Sequence, residues 1–350
     1  MALLTGWAAF LVGFATIAAI YALLTLGLNV HYGYTGLLNF GHVAFFAAGA
    51  YAAAIVTMPP PSAVTNASYV VWFNLPMPWG FPVSLAAASL AGGALALLIG
   101  LTSVRLGTHY LAIATFALAG VFGDILVNEA WLTNGSFGMN SVPKPGRAAL
   151  GADAWQLAYL VFALASLAAV YLLVERVMNA PFGRLLKGIR ESEAAAEMLG
   201  KNATVAKLKS FVIGGMIAGF AGGVYAHYLG SVVTAQFLPA VTFTVYAAML
   251  LGGAASNTGA VVGAFTVVAF RESTRFITTA YDWVQATLPA PLTGVLPALV
   301  GPLPNNPSFI PSMRLVVVGL LFVLVIRYRP EGLLGDPAEV DALGDEGGGE

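Results

Sequence analysis

Residues 210–270 read SFVIGGMIAGFAGGVYAHYLGSVVTAQFLPAVTFTVYAAMLLGGAASNTGAVVGAFTVVAF, without one Asp, Glu, Lys or Arg. A bilayer core takes about 20 apolar residues per helix, because no water is present there to satisfy open backbone groups. The stretch therefore predicts about three membrane spans. Two turn signals divide it: Gly230 to Pro239, and the run Gly252-Gly253-Ala254-Ala255-Ser256-Asn257-Thr258-Gly259.

The same arithmetic applies toward the N-terminus. Gly6 to Val30 is a first span; it lacks a basic leader and is longer than a signal-peptide core, so it predicts a retained membrane helix. Leu37 to Thr57 is a second, interrupted early by Asn39, Gly41 and His42 and ended by Pro59-Pro60-Pro61. Ser62 to Pro82, with Tyr69, Trp72 and Trp79, reads as an outer loop at the membrane–water interface. Val83 to Val104 and Tyr110 to Val127 predict a tight helical hairpin, Asn134 to Gly151 a second outer loop, and Ala154 to Val174 a further span. Beyond residue 270, Gln285 to Pro311 reads as a proline-rich outer loop and Leu315 to Ile326 as a last, short span. A weak echo relates Gly36–Tyr51 to Gly253–Phe270, both Gly/Ala-rich, polar at the start and aromatic later.

With 59% hydrophobic and 9% charged residues, the composition is that of a polytopic membrane protein. The expected fold is all-α: a bundle of about eight to ten transmembrane helices with broken or re-entrant segments, nine passes being the best count. Residues 1–335 form the membrane domain, and 336–350 an acidic, disordered tail. A net charge of -1 leaves no basic face for nucleic acid, and without cysteine there is no disulfide framework or thiolate metal site.

Between the spans lies an island of charge, PFGRLLKGIRESEAAAEMLGKN, from Pro181 to Asn202. Lys and Arg mark the cytoplasmic side. If the island is inside, so are Arg105, Arg176, Arg184, Lys187, Arg190, Lys201, Lys207, Lys209, Arg327 and Arg329, and the C-terminus is cytoplasmic. Ser192 can cap a helix of about two turns beginning at Glu193, and Gly200 can close it in a left-handed conformation. The alanines 194–196 leave that helix slim enough to enter a groove on a soluble partner.

No phosphate-binding loop surrounds any lysine, no His pair has metalloprotease spacing, and no nucleophile elbow surrounds any serine. Any ATP must therefore be bound by another protein, and a membrane enzyme would lack a paired acid, base or nucleophile. Asn39, His42, Asp124, Asn128 and His227 are the polar candidates for a path through the membrane, where ionisable groups are costly. Gly41, Gly222, Gly223, Gly252 and Gly253 either permit close helix approach or leave unwound backbone beside a substrate, and close packing is the commoner use.

ESEAAAEMLGKN resembles the E-A-A-x-x-x-G cytoplasmic loop of ABC importer permeases, and its context resembles the branched-chain amino acid permease family, the LivM type in particular. Gly36–Phe46, Tyr110–Thr115, Ala218–His227, Leu250–Gly253 with Gly259, and Arg329–Gly335 are similar to further family segments in the same order. Three departures leave the cargo open: Leu126-Val127 where the family carries an Ile-Arg pair after Asp124, Asn134-Gly135-Ser136-Phe137-Gly138 in place of a Gly-Gly-Pro-Asn-Gly loop, and Asn39 for a commoner Ser.

The resemblance implies an ABC permease fold that pairs with a second permease of the LivH type, two cytoplasmic ATPases and an external binding protein for an amino acid. It also implies a plasma-membrane location. Glu193, Ala194, Ala195, Ala196, Glu197 and Gly200 would then be the helix that couples ATP hydrolysis to transport. Related permeases carry urea or short amides, which is the nearest alternative. A self-contained secondary transporter is a further one, with only Asp124 to couple an ion.

Overall fold

A computed structural model describes residues 6–64 and 68–273, together with Ser312, Val316, Gly319, Leu320, Val323, Leu324, Arg327 and residues 332–334. The expected loop at 285–311, most of the span at 315–326 and the tail at 336–350 lie outside the described residues. The described chain is almost wholly helical. Its main elements are α1 (Gly6–His31), α2 (His42–Thr57), α3 (Gly80–Ser103), α4 (Thr108–Asn128), α5 (Ala152–Asn179), α6 (Pro181–Glu191), α7 (Glu193–Met198), α8 (Ala203–Leu229), α9 (Pro239–Gly252) and α10 (Asn257–Ser273).

Among the described residues six helices are long and apolar enough to cross a bilayer, and α2 is a shorter apolar helix. The chain is a multi-pass membrane protein.

Three expectations need correction. The second span does not begin at Leu37: residues 37–41 are not helical, and α2 starts only at His42. The third starts earlier than expected, at Gly80, because Pro82 is tolerated in a first turn where its missing N–H has no partner to lose. And α3 and α4, though joined by a short turn, are no tight hairpin. α3 packs chiefly against α8 and α2, whereas α4 exposes Tyr110, Ile113, Val121 and Ile125.

α8 is the hub, packed on α1, α2 and α3. Lipid tails are as apolar as the side chains, so helices in a membrane associate through close van der Waals fit, which favours small residues. A Cβ on Gly219 would sit 2.3 Å from the Ala88 carbonyl oxygen, and one on Gly222 2.1 Å from that of Phe46. α9 and α10 meet the same way, with a Cβ on Gly252 only 1.8 Å from the Gly259 oxygen.

The bundle has two distinct ends. At one end the turn after α1, the helices α6 and α7, the break at 253–256 and residues 332–334 come together. Arg190 bonds the Gly33 carbonyl, Ala255 N–H donates to Asn29 Oδ1 at 2.9 Å, and Leu333 and Leu334 N–H donate to the carbonyls of Leu251 and Gly252 at 2.7 and 2.9 Å. At the other end the three connecting loops knit together. Val70 N–H donates to the Trp131 carbonyl at 2.7 Å, Ser68 bonds Asn134 Oδ1, and Met139–Asn140 pair antiparallel with Ser231–Val232. Lys144 and Arg147 both lie near the Trp155 ring there, 5.1 and 5.9 Å from its centroid. Partial burial, with the charge of Arg147 alongside, pulls the Lys144 amine below its usual range.

Gly219→Val should lower stability by about 1–3 kcal/mol or more, since the added atoms meet backbone that cannot move aside. Gly120→Val on α4, where a Cβ meets nothing within 4 Å, should be neutral. Thermal unfolding of the two variants in detergent checks the contrast.

Candidate functional site

The non-helical stretch between α1 and α2 poses a problem that the surrounding helices solve. Buried backbone N–H groups outside a helix need partners. Asn39 N–H donates to the Tyr246 hydroxyl at 2.8 Å, Phe40 N–H to Thr115 Oγ1 at 3.1 Å, Gly41 N–H to Asn39 Oδ1 at 3.0 Å, and Val43 N–H to Thr242 Oγ1 at 3.1 Å. Side chains from α4 and α9 thus stand in for the missing helical turn.

Asn39 and His42 meet a residue the sequence reading did not select, His31. Its Nε2 lies 2.9 Å from the Phe211 carbonyl and must donate, which leaves Nδ1 to accept from the Asn39 amide at 3.0 Å. That pattern belongs to the neutral ring. His42 Nε2 likewise donates to the Leu24 carbonyl at 3.0 Å, and its ring meets His31 edge-on at 5.3 Å. His42 Nδ1 is buried with no hydrogen-bond partner among the described residues. Gly41 is a close-approach glycine, its Cβ position 2.4 Å from the Thr115 carbonyl oxygen.

Beside this cluster opens a cavity of about 490 Å³. Tyr32, Leu38, Phe40, Phe243, Tyr246 and Leu250 form most of its wall, so the lining is aliphatic and aromatic. Leu38 and Phe40 come from the broken stretch itself, which makes the cavity sensitive to any movement of that backbone. The sequence gives no periodic signal for such a site, because its wall is assembled from α9, from residues between α1 and α2 that are not helical, and from Gly319 far along the chain.

The other candidate path residues lie elsewhere. Asp124 and Asn128 sit on the exposed face of α4, one turn apart, with Asn128 Nδ2 donating to the Asp124 carbonyl at 2.8 Å. His227 lies at the opposite end of the bundle from the charged island. Its Nδ1 donates to the Pro143 carbonyl at 2.8 Å, leaving Nε2 for the Ser84 hydroxyl at 2.7 Å, so it ties the loop between α4 and α5 to α8 and α3. Gly222 is a packing glycine, and Gly223 packs under Ala88 and Leu85. Gly252 and Gly253 mark the second break, and Gly253 has φ +114.

In the island, Ser192 Oγ accepts from Ala195 N–H at 3.2 Å and so caps α7. Glu193, at the positive end of α7, takes Lys207 Nζ at 2.5 Å, and Gly200 adopts φ +75. Ala196 is buried among Val174, Met178 and Ile189, whereas Ala194, Ala195 and Glu197 face outward. The element's most exposed residues were not singled out in the sequence: Met198 is 88% exposed and Leu199 79%. Two large apolar side chains at the tip of a short capped helix are a signal that could have been read from its last turn.

A profile of the branched-chain amino acid transport system / permease component family matches residues 10–326. The chain belongs to this family. Among curated proteins, the high-affinity branched-chain amino acid transport system permease protein LivM of Salmonella typhimurium is 31% identical over 346 residues, covering 92% of this chain and 69% of the relative. The LivM protein of Escherichia coli shows the same identity and coverage. A probable branched-chain amino acid transport permease protein LivM of Methanocaldococcus jannaschii is 25% identical over 335 residues and covers 90% of each chain. No solved structure matches. The family is one of transport permeases, which accords with a chain carrying several membrane helices.

Asn39→Ala removes both the acceptor of Gly41 N–H and the donor to His31, leaving buried groups unpaired. A loss of about 1–3 kcal/mol is expected, with reduced transport. Asn39→Ser, which keeps a short hydrogen-bonding side chain, should recover part of both; melting temperature and uptake measure the two effects.

Proposed function

We propose that this chain is one of two membrane subunits of an ATP-driven importer for branched-chain amino acids, working with a second permease of the LivH type, two cytoplasmic ATPases and an external binding protein. The observation that carries the reading is the element 192–200: a helix capped at both ends, anchored through Ala196 and presenting Met198 and Leu199 to solvent from a charged surface. An exposed apolar pair of this kind is suited to a groove on a soluble partner. In this reading Glu193, Ala194, Ala195, Ala196, Glu197 and Gly200 form the coupling helix, and ATP with its magnesium is bound by the ATPases alone.

The island and the break at 253–256 occupy one end of the bundle, and residues 332–334 dock there. By the charge rule this end faces the cytoplasm, and with it the C-terminal segment. The opposite end, with its knitted loops and the Lys144–Arg147–Trp155 group, is then the surface open to the binding protein. The little-buried α4 supplies a face for the second permease.

For cargo, the cavity beside the broken stretch is the best side-chain subsite. Its aliphatic and aromatic lining suits a branched apolar side chain, and offers urea or a short amide little to hydrogen-bond. Closure of the ATPases would move the island, shift the broken stretch and change which end of the cavity is open, as alternating access requires. A self-contained secondary transporter would need an ion-coupling charge in the path, and Asp124, the candidate the sequence offers, lies on an exposed face of α4.

The test is reconstitution in vesicles with the three kinds of partner. Uptake of leucine, isoleucine or valine should require ATP and all partners; uptake by this chain alone, driven by an ion gradient, would overturn the reading. Gly200→Val, which places a β-branched residue at φ +75, and Met198→Asp should each leave the chain in the membrane but cut ATP-driven uptake by about tenfold or more. Phe243→Ala should raise the concentration of leucine needed for half-maximal uptake without abolishing ATP hydrolysis.

A further inference from the structure

Arg190 is a charged residue that the sequence places in a solvent-facing island, yet it is 5% exposed. It lies on α6, whose Gly183, Leu186 and Ile189 are buried with it. Its Nη1 reaches across to the Gly33 carbonyl in the turn that follows α1. Its aliphatic stem covers Gly36, where a Cβ would lie 3.2 Å from Arg190 Cγ. Gly36 has φ +74, so the turn closes with its backbone pressed against the arginine stem. One helical turn earlier, Lys187 Nζ sits 5.7 Å from the centre of the Tyr34 ring. α6 therefore holds the turn 33–36 at two points, one on each side.

That turn has little freedom of its own. A Cβ on Gly33 would lie 2.1 Å from Asn29 Oδ1 and 2.5 Å from Ala255 N, so it is wedged against the second break. Leu37 N–H returns to the His31 carbonyl at 2.9 Å, and the next residues are the broken stretch with Leu38 and Phe40 on the cavity wall. A displacement of α6 reaches the cavity through fewer than ten residues of continuous, hydrogen-bonded backbone.

We infer that Arg190 is the positioning residue through which the cytoplasmic island moves the broken stretch, gripping the turn 33–36 by its guanidinium and its stem. This rests on the importer reading above. A planar guanidinium suits the task because it stays charged and directs its donors from a rigid fork, while the stem packs as an apolar rod. A shorter, rounder ammonium keeps the charge but not that geometry. Coupling between sites needs an element with contacts that differ between two states, and this turn, held from below by α6 and continuous above with the cavity wall, has the required connections.

The experiment uses the complete reconstituted complex and measures leucine transported per ATP hydrolysed, with assembly followed by size-exclusion chromatography. Arg190→Met should assemble and keep basal ATP hydrolysis, while transport per ATP falls about tenfold. Arg190→Lys should be intermediate, and external binding protein with leucine should stimulate hydrolysis in proportion. If the wild-type complex is ATP-driven and Arg190→Met transports with an unchanged ratio, the inference fails and the importer reading stands. If both variants fail to assemble, the inference also fails, because Arg190 would then be a folding residue only. Transport by the wild type without ATPases would remove the importer reading itself.

Discussion

An N–H group placed in hydrocarbon must find an acceptor inside the protein, and the architecture turns on how this chain meets that demand where its second span is not helical. The stretch before α2 and the first turn of α2 have their donors taken up by the hydroxyls of Tyr246, Thr115 and Thr242 and by the side-chain oxygen Oδ1 of Asn39. The three hydroxyls come from α4 and α9, so one irregular segment fixes the positions of two helices distant in sequence. It also places the His31–Asn39–His42 cluster at the centre of the bundle and sets one wall of the cavity. The break is tolerated because it is buried in protein, and being buried it becomes a junction.

The second break, at 253–256, meets the first. Asn29 is the contact: its Oδ1 accepts Ala255 N–H, and its Nδ2 donates to Asn257 Oδ1 at 3.2 Å. Asn257 in turn donates to Glu175 Oε2 at 2.7 Å, which brings in the end of α5. The echo between Gly36–Tyr51 and Gly253–Phe270 thus has a structural counterpart in two non-helical entries, each opening a helix of 16 or 17 residues. Asn29, in the last turn of α1, also accepts Tyr34 N–H on its backbone carbonyl at 3.0 Å, so it links the turn that leads into the first break with the second.

The sequence was informative where composition and turn chemistry act locally. Apolar runs located α1, α3, α4 and α9 within a few residues, whereas α5 runs on through Glu175 and Arg176 to Asn179 and α8 begins at Ala203, before Lys207 and Lys209; Ser192 and Gly200 bounded α7 because a cap and a left-handed stop need only their own side chains. It was uninformative where a role depends on which residues meet. Asn39, His42, Asp124, Asn128 and His227 look alike as polar residues in apolar runs, but only Asn39 and His42 join the central cluster. Asp124 and Asn128 face outward, and His227 fastens a loop. Tyr246, Thr115 and Thr242, which complete the break, read as ordinary members of apolar helices, since their hydroxyls matter only through partners on other helices. Arg190 was hidden by its neighbours, being one cation among several until its burial distinguished it.

The two hydrogen bonds from Leu333 and Leu334 to the carbonyls of Leu251 and Gly252 bear on the order of assembly during synthesis. α9 leaves the ribosome well before the segment that covers its last carbonyls, so those groups must be hydrated or transiently paired until Leu333 and Leu334 have been made. The junction of the two breaks is therefore left unfinished in the nascent chain until the residues around Gly332 have emerged.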